Sequence, residues 1–565
     1  MTQRLEKRAQ KNAQRSLLAQ PLDRTAVIAM VVLSVVIALM LMTGAQALPQ
    51  VKSFSWQEVA VKAEDAAFIL TFTQPMEPTS VEENLVIEPP LDGKISWAGR
   101  RMAYTLNAPA PYGESFELSL PTAQAINGQE GFDAFQAGFR TRDRAFAYIG
   151  ASGEEAGRLV LFNLTQKEKT ILTTPEQTVL NFEPYPERDR ILYSAVDTAS
   201  TETGISSAQL YTVTTGMGAD STSPAWQFWK REETVEPGTV TLVLDSKEYQ
   251  NLKFDLSPNG ETIVVQRVNR ERPADSGPWV IKSGEDPERI KTEPGGDFKI
   301  APDSTSLLFQ QGQGTAVIDL EPEETATNPD SLLLDFLPEY GLTLDVADDG
   351  SAAAFVNFNQ NDPENRFTQS LYWVSNRGDE KQLLRTDGAI LSAQFNENGD
   401  LLYCLVNRLL RTNQSQNQSQ DELSAEDTAA ENKVLEGEVV EGEDALSVEI
   451  TPLEAELDLS KELYSFSPYL SVINVGTGEE KKLLEMPPQP EITVSLSPDG
   501  LAILFDEVLA SDMQGASDSE TYDGPTHRLW LLPLFDTLEA RMSREPTALP
   551  PTELDIAGRH PAWLP

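Results

Sequence analysis

Hydrophobic and polar positions alternate with a period of two over many short runs of this chain, and turn residues separate the runs. In residues 495–505, SLSPDGLAILF, two apolar runs flank a Ser-Pro-Asp-Gly turn. This pattern predicts a β-hairpin, because successive side chains of a strand face opposite sides and Asp-Gly tolerates the backbone angles of a tight turn. The hairpin pattern recurs in residues 180–193, 254–265, 298–309, 344–355 and 393–404.

These hairpins form a series with a spacing typical of repeat proteins. Successive turns in the middle of the chain are about 45–50 residues apart, a period in the range of β-propeller blades. Further strand-like runs follow several copies, at residues 370–386, 469–486 and 527–534. Two hairpins supply four strands, which is the content of one blade. We therefore predict a β-propeller over residues 145–565, with seven blades or, as alternatives, six or eight.

The two ends of this region predict how the propeller closes. The chain finishes with GRHPAWLP, residues 558–565, which matches the first strand of another copy stopped at its turn. Residues 145–150, AFAYIG, supply the missing continuation. Pairing of the N-terminal and C-terminal strands would complete a composite blade and remove an open sheet edge.

The turn motif resembles the repeat of Tol-type propellers (PD40 or WD40-like repeats). SLSPDG and DLSPNG are its best copies, whereas VADDG, NENG and EPYPERD depart from it. The resemblance implies a TolB-like propeller, which binds protein partners, although prolyl oligopeptidase-like enzymes carry similar blades. Because the strand pattern continues to the last residue and G-x-S-x-G is absent, we expect no α/β-hydrolase domain of that enzyme type.

Residues 50–142 predict a separate β-sandwich. Their short alternating runs are broken by turn residues about every eight to twelve positions, as in sandwich domains. FTQPMEPTSVEENLVIEP, the G-x-x-x-W from Gly93 to Trp97, PYGESFELSL and a closing FRT resemble, in this order, the bacterial Ig-like domain of the SbsA type. That resemblance implies a spacer or adhesive module of envelope proteins without catalysis. Trp97 and Tyr104 are expected in its core.

Residues 25–42, TAVIAMVVLSVVIALMLM, contain no charged residue and predict a transmembrane helix. As a helix this run would rise about 27 Å, close to the ~30 Å hydrocarbon core, and the span is assigned to residues 25–48. Because the preceding tail, residues 1–24, is basic, the positive-inside rule places that tail in the cytoplasm and the remainder on the extracytoplasmic, periplasmic side of the plasma (inner) membrane. The alternative is a cleaved signal peptide, with cleavage near Ala47 and secretion of the rest.

Composition and charge exclude several classes of partner. Acidic residues (88) outnumber Lys and Arg (44), which gives a formal net charge of −44. Nucleic acid requires a basic surface, so no nucleic-acid partner is expected, and the charge also argues against the folded part lying on anionic lipid. The one cysteine, Cys404, lies in the apolar run LLYCLV, which predicts a small buried hydrophobe and excludes an intrachain disulfide.

Three insertions interrupt the repeat, near residues 213–240, 412–460 and 512–526. The second is acidic and poor in aromatic residues, which predicts disorder because little apolar surface is available to offset the entropy of ordering. It is interpreted as a solvated excursion, with a partner-binding segment as the alternative. The first contains the candidate partner contacts, since exposed tryptophans beside basic residues often mark interfaces; packing of the tryptophans onto a blade is the alternative. These candidates are Trp226, Trp229, Lys230 and Arg231.

No catalytic, cofactor-binding or metal-binding pattern is recognised. The two histidines, His527 and His560, are too few for a three-histidine zinc site, and P-loop and dinucleotide motifs are absent. The sequence therefore predicts an all-β, non-enzymatic membrane protein that binds envelope proteins or cell-wall polymers. The alternative is a propeller-based hydrolase, carbohydrate-active or peptidase-like, which requires a deep channel pocket with paired carboxyl groups of raised pKa.

Overall fold

The chain is mostly β-strand and divides into two compact units. The computed structural model describes residues 21–44, 48–57, 59–126, 131–198, 205–217, 236–292, 295–321, 333–412, 463–489, 491–508 and 527–565. The first unit consists of Met1–Val61, Asp65–Asn107 and Glu114–Thr141. The second unit consists of Lys62–Glu64, Ala108–Gly113 and Arg142–Pro565.

Helix α1, Pro21–Gly44, contains the apolar run that the sequence singles out. Its described large apolar side chains, between Val27 and Met40, are exposed. Within the part of the chain that the structure describes, no helix combines the length and the apolar character needed to cross a membrane. Residues 45–47, which contain the cleavage position near Ala47, lie outside the described residues.

The first unit contains two four-stranded sheets. Its strands are β1 (Val51–Phe54), β2 (Ala60–Val61), β3 (Ala67–Phe72), β4 (Val86–Glu88), β5 (Gly93–Ala98), β6 (Arg101–Leu106), β7 (Ser115–Leu120) and β8 (Phe135–Thr141). The sheet orders are β1-β3-β6-β5 and β2-β8-β7-β4, and β2 runs parallel to β8. A short helix, α2 (Pro78–Glu82), starts at a proline, which suits the first turn because that position needs no N–H.

Aromatic side chains join the two sheets of the first unit. Phe54 of β1 and Phe139 of β8 are buried, and their ring centroids are 6.0 Å apart. Trp97 and Tyr104, expected in the core, are half-buried and stack on buried phenylalanines of β3 with centroids 5.9 and 5.1 Å apart. Both therefore contribute to the packed face.

The second unit begins with three strands and continues with five four-stranded sheets, each built from four consecutive strands. The first three strands are β9 (Ala145–Gly150), β10 (Leu159–Asn163) and β11 (Glu168–Ile171), with a 3-10 turn at Gly153–Glu155. Sheet A comprises β12 (Gln177–Pro184), β13 (Arg190–Asp197), β14 (Gln209–Thr214) and β15 (Val240–Leu244), with a 3-10 turn at Ile205–Ser207. Sheet B comprises β16 (Tyr249–Leu256), β17 (Thr262–Asn269), β18 (Ser276–Lys282) and β19 (Glu288–Arg289).

The remaining three of these sheets have the same antiparallel order. Sheet C comprises β20 (Phe298–Ile300), β21 (Ser306–Gln311), β22 (Gly314–Asp319) and β23 (Leu333–Leu337). Sheet D comprises β24 (Leu342–Val346), β25 (Ala352–Asn357), β26 (Gln369–Ser375) and β27 (Glu380–Thr386). Sheet E comprises β28 (Ala389–Phe395), β29 (Leu401–Thr412), β30 (Leu463–Asn474) and β31 (Glu480–Glu485).

The last strands of the second unit combine with β9, β10 and β11 in a seven-stranded sheet, in the order β11-β10-β9-β35-β34-β33-β32. These last elements are β32 (Val494–Leu496), β33 (Ala502–Val508), β34 (His527–Pro533), α3 (Leu538–Ser543) and β35 (Thr552–Trp563). The first half of β35 pairs with β34, and its second half pairs with β9, from Gly558 opposite Gly150 to Trp563 opposite Phe146. The pairing predicted between residues 558–565 and 145–150 is therefore present.

Two arginine side chains, Arg188 from the turn between β12 and β13 and Arg142 from the segment before β9, hold the last residues in place. Arg188 is buried; its Nη2 donates to the carbonyl of Leu564 (3.1 Å), its Nη1 to that of Asp143 (2.9 Å), and its Nε to that of Pro565. Arg142 also donates to the Pro565 carbonyl, at 3.2 Å. Two buried guanidinium groups thus fix the junction between the start and the end of the second unit.

Neighbouring sheets pack face to face through apolar side chains. Between sheets A and B, Leu192 and Leu210 join Phe254 and Val265 in one buried cluster. Cys404 is fully buried in the corresponding cluster between sheets D and E, as the sequence predicts. The first strands of the sheets, with β32 and β35 of the seven-stranded sheet, contact one another in the order β16, β20, β24, β28, β32, β35, β12. This arrangement is propeller-like.

Candidate functional site in the second unit

One position near the end of the first strand of each sheet carries a polar side chain in most copies of the repeat. It is the third residue before the proline position of the turn that follows, as in Asp255 before Pro258. We call the polar residues at this position the belt: Glu183 (β12), Asp255 (β16), Lys299 (β20), Asp345 (β24), Gln394 (β28) and Ser495 (β32). Ala562 of β35 occupies the equivalent position without a polar group.

Most belt side chains accept a hydrogen bond from the main chain of the next first strand. The donor is in each case the N–H of the residue that follows the belt position in that strand. The bonds are Leu256 to Glu183 (2.9 Å), Ile300 to Asp255 (2.5 Å), Phe395 to Asp345 (2.8 Å), Leu496 to Gln394 (2.8 Å) and Trp563 to Ser495 (3.1 Å). Each of these bonds joins a side chain of one sheet to the main chain of the next, so the belt ties consecutive sheets together.

Lys299 is the one cation of the belt. Its Nζ lies 2.6 Å from Oδ1 of Asp345, and the two side chains are 37% and 16% exposed, so both retain some contact with solvent. Burial by itself lowers the pKa of Lys299, but the carboxylates of Asp345 and Asp255 outweigh it and the pKa is raised. Lys299 is therefore charged at every physiological pH.

The carboxyl groups of Glu183 and Asp255 are less acidic than usual. Burial, followed by repulsion from Asp255, raises the pKa of Glu183 well above its ordinary range. Burial also raises the pKa of Asp255, against the opposing attraction of Lys299. Because both groups accept main-chain hydrogen bonds, their environment is explained by their role in joining sheets.

A second group of carboxyl groups lies in the turns after the belt. In VADDG and NENG the proline of the repeat is replaced by Asp348 and Glu397, while the turn glycines Gly350 and Gly399 keep the positive φ angles of 66° and 68° that a tight turn requires. The two departures from the motif occur in consecutive copies, so the fold brings the two acids together at the same end of sheets D and E.

Asp348 and Glu397 share a hydrogen bond and are electrostatically coupled. Burial, the charge of Asp348 and this hydrogen bond raise the pKa of Glu397 to about 7, and Glu64 contributes further repulsion. Burial and the charge of Asp345 raise the pKa of Asp348. Glu397 is thus half-protonated near neutral pH and can donate or accept a proton, as a general acid or base does.

The cavity beside Glu397 is small. It measures about 40 Å³ and its lining includes Ala108, Pro109, Tyr403 and Asp499. A water molecule needs roughly 10–15 Å³ by this measure, so the cavity holds a few waters and no sugar ring or peptide unit. The raised pKa that the hydrolase alternative requires is present, but this cavity does not provide the deep pocket.

The fold brings the two histidines close enough to interact electrostatically. His560 Nδ1 lies 3.1 Å from the Thr493 hydroxyl, and its Nε2 lies 3.6 Å from a carboxylate oxygen of Glu491. Burial, together with electrostatic repulsion from Arg559 and His560, lowers the pKa of His527, although nearby acids oppose it. Among the residues that the structure describes, no group of three or more His, Cys, Asp or Glu side chains is arranged to hold a metal ion.

The candidate contacts Trp226, Trp229, Lys230 and Arg231 lie outside the described residues, as do residues 413–462 and 509–526 of the other insertions. The belt and the Asp348–Glu397 pair were not among the residues picked from the sequence. Two signals could have revealed them: a polar residue at a fixed position of apolar strands, and an acid at the proline position of two consecutive turns.

Comparison with known proteins does not identify a family for this chain. No protein-family model matches the sequence, and no curated protein matches it. One similar solved structure is TolB from Acinetobacter baumannii, with 10% identity over 85% of this chain and 83% of that chain and a TM-score of 0.34. A second is an oligogalacturonate lyase from Vibrio parahaemolyticus, with 11% identity over 70% of this chain and 91% of that chain and a TM-score of 0.39. A third is the hydrazine synthase of Kuenenia stuttgartiensis, with 11% identity over 67% of this chain and 82% of that chain and a TM-score of 0.33. At such low TM-scores, the propeller-like description rests on the strand pairing itself.

Proposed function

We propose that this protein is a membrane-anchored, extracytoplasmic scaffold that presents a β-propeller to envelope proteins or cell-wall polymers. The anchor is supported by the uncharged run 25–42, the basic tail 1–24 and the exposed apolar side chains of α1. The SbsA-type resemblance of residues 50–142 supports an Ig-like spacer between membrane and propeller.

We infer seven blades from the strand pairing. Sheets A to E supply five blades. The seven-stranded sheet supplies two more, because β35 serves as the outer strand of one blade with β34 and as the inner strand of the next with β9. Such sharing of one long strand pairs the start of the second unit with its end.

The belt is the observation on which the binding function rests. The acids that line the first strands accept main-chain hydrogen bonds from the next sheet, and Asp345 also pairs with Lys299. Side chains fixed in this way stabilise a rigid frame and are poorly placed to move protons or to attack a substrate. A rigid frame with exposed loops suits recognition, since binding residues commonly lie on loops held by such a scaffold.

The net charge of −44 shapes the partner that we propose. A basic surface of an envelope protein or a wall polymer would be attracted over several ångströms, and added salt would screen this attraction. Association should therefore weaken as ionic strength rises.

The test is crosslinking of the tagged full-length protein in its native membranes, followed by purification at low and at moderate salt. We expect one defined envelope protein or wall fragment to co-purify, with lower yield at moderate salt. A variant lacking residues 412–460 shows whether the acidic insertion takes part, and a variant lacking 512–526 is its matched control. Recovery of no partner at either salt would contradict the scaffold function.

A hydrolase is the second candidate, and the Asp348–Glu397 pair is the observation that favours it. Glu397, with its pKa raised to about 7, could protonate a leaving group, and Asp348 would supply the second carboxyl group. The full-length protein would be assayed on defined glycosidic and peptide substrates, with Glu397→Gln as the variant and the exposed Glu364→Gln as the control. Turnover that is lost only in Glu397→Gln would support this candidate, and absence of turnover would count against it.

A further inference from the structure

A polar cleft opens beside sheet A, away from the belt. It has a volume of about 260 Å³, several times that of the cavity next to Glu397. Its lining comes from the link after β11 and from strands β12 to β15, and it includes the polar residues Thr174, Glu176, Gln177, Asp197, Gln209 and Tyr211 beside the apolar Val240. Neither the belt nor the turn carboxyl groups line this cleft.

The cleft contains an aromatic ring held in a fixed position. Tyr211 is half-buried and stacks on the fully buried Tyr193, with ring centroids 5.4 Å apart and planes at 21°. The Tyr211 hydroxyl donates to Gln209 Oε1 at 3.2 Å, and the Tyr193 hydroxyl donates to Gln177 Oε1 at 2.9 Å. Because each amide oxygen accepts a phenol proton, the two tyrosines orient both glutamine side chains.

Carboxylates supply the remaining polar groups. The hydroxyl of Thr174 and the main chain lower the pKa of the exposed Glu176, so this side chain is ionised at neutral pH. Asp197 lies directly across from Gln177 in the register of β12 and β13. The named lining residues include two carboxylates and no Lys, Arg or His, and Arg158 lies outside the lining but close enough to attract Glu176, so negative charge predominates within the cleft.

We propose that this cleft binds one unit of an uncharged, hydroxyl-rich saccharide. Its volume lies slightly below the roughly 300–1,000 Å³ of sites for drug-sized ligands, which suits a single ring. Carboxylates accept and amides both donate and accept, as neighbouring hydroxyl groups require. The electron-rich face of Tyr211 would attract the C–H edges of the ring. The inference rests on the proposed binding function and gives it a ligand class.

The test is isothermal titration calorimetry of the full-length protein in detergent, with cellotetraose and chitotetraose (the N-acetylated tetramer) as neutral probes and tetragalacturonate as the anionic probe. We expect at least one neutral probe to bind at millimolar concentration and tetragalacturonate to bind at least about tenfold more weakly. Tyr211→Ala and Gln209→Ala should each weaken binding of the neutral probe by about tenfold, because each removes one of its proposed contacts.

Tyr372→Ala is the matched control, since Tyr372 is a half-buried tyrosine of β26 in sheet D and does not line the cleft. Thermal melting of each variant verifies folding. If Tyr211→Ala fails to fold, Gln209→Ala still tests the cleft, because it removes only a half-buried side chain. Equal binding of tetragalacturonate, or unchanged binding in both cleft variants, would overturn the proposal. If neither neutral probe binds while the crosslinking partner is still recovered, the saccharide cleft is wrong and the scaffold function stands.

Discussion

Lys299 and Asp345 occupy equivalent positions of consecutive first strands, and Nζ of one lies 2.6 Å from Oδ1 of the other. The second oxygen of Asp345 accepts the N–H of Phe395 from the strand beyond. One carboxylate therefore joins three neighbouring sheets. Lys299 also compensates the charge of Asp255, which makes it the electrostatic centre of the belt.

Replacement of Lys299 by methionine should destabilise the second unit. The change keeps most of the apolar stem, but it removes the ion-pair partner of Asp345 and one of the two lysines that attract Asp255. Loss of one partner from a fully buried pair costs about 3–5 kcal/mol; because Lys299 is 37% exposed, we expect a smaller loss of roughly 1–3 kcal/mol in the free energy of unfolding. Calorimetric melting of the full chain would show this loss as a lower transition temperature.

The control for this prediction is Lys282→Met. Lys282 also pairs with an acid, Glu321, at 3.0 Å, but it lies in the third strand of sheet B and outside the belt. The carboxylate of Glu321 is 57% exposed, against 16% for Asp345, and pairs with such an exposed partner contribute about 0–1 kcal/mol, so this variant should melt close to the wild type. Equal destabilisation by both substitutions would refute a special role of the belt.

Loss of the Arg188 side chain should loosen the junction between β9 and β35. Arg188→Ala removes the hydrogen bonds to the carbonyls of Leu564 and Asp143, and each such bond contributes about 1 kcal/mol. The N–H of Leu564 donates to Ala145 at 2.9 Å, so its hydrogen exchange reports on this junction. We expect its protection to fall by at least about tenfold.

Arg190→Ala is the comparison for the junction, because Arg190 lies nearby but packs over the Tyr185 ring. It should leave the exchange of the Leu564 amide unchanged. An Arg188→Ala protein with wild-type protection at Leu564 would show that strand pairing alone holds the junction.

The Asp348–Glu397 pair predicts a pH dependence of stability. The pKa of Glu397 is raised from its ordinary 4.5 to about 7, so between these values the folded state binds more protons than the unfolded state. Stability from this group is therefore greatest at low pH, decreases as pH rises from about 4.5 to about 7, and stays constant above that range. In Glu397→Gln the amide can donate to Asp348 at every pH, so this decrease should be absent.

The measurement is the difference in unfolding free energy between wild type and Glu397→Gln at several pH values from 4.5 to 8. We expect the variant to gain on the order of 1 kcal/mol relative to wild type at the alkaline end, after allowance for solvent screening. Glu364→Gln, at an exposed position, serves as control, and its unfolding free energy should depend on pH as that of the wild type does. A constant difference across the pH range would mean that the two carboxyl groups do not share a proton.

Cys404 should be unreactive in the folded protein. It is fully buried between sheets D and E, and burial raises the pKa of its thiol. Because the thiolate is the reactive form, maleimide should label the native protein negligibly at pH values near neutral and label it completely in denaturant. Mass spectrometry quantifies the labelling of the native and of the denatured protein. Rapid labelling of the native protein would show that the region around Cys404 opens transiently to solvent.

The sequence determined the elements whose causes are local. A Pro-Asn-Gly or Pro-Asp-Gly turn between alternating runs specifies a hairpin within about twelve residues, so the first hairpin of sheet B and the hairpin of β32 and β33 could be anticipated from residues such as Gly260 and Gly500. The repeat spacing then predicted four-stranded sheets. GRHPAWLP matches the first strand of a repeat copy that stops at its turn. This match also predicted a pairing between residues more than 400 positions apart, such as Gly558 and Gly150.

Only the tertiary structure decided which polar groups meet. The Ile300 N–H reaches Asp255 from 45 residues away, and the pKa of Glu397 depends on Asp348 in the preceding copy. The cleft beside Tyr211 likewise combines the link after β11 with the four strands of sheet A. Alternation of apolar and polar residues fixes the face that a side chain occupies, whereas burial, charge compensation and proton sharing depend on neighbours supplied by other repeats. For that reason the architecture could be predicted from sequence, and the candidate sites required the assembled sheets.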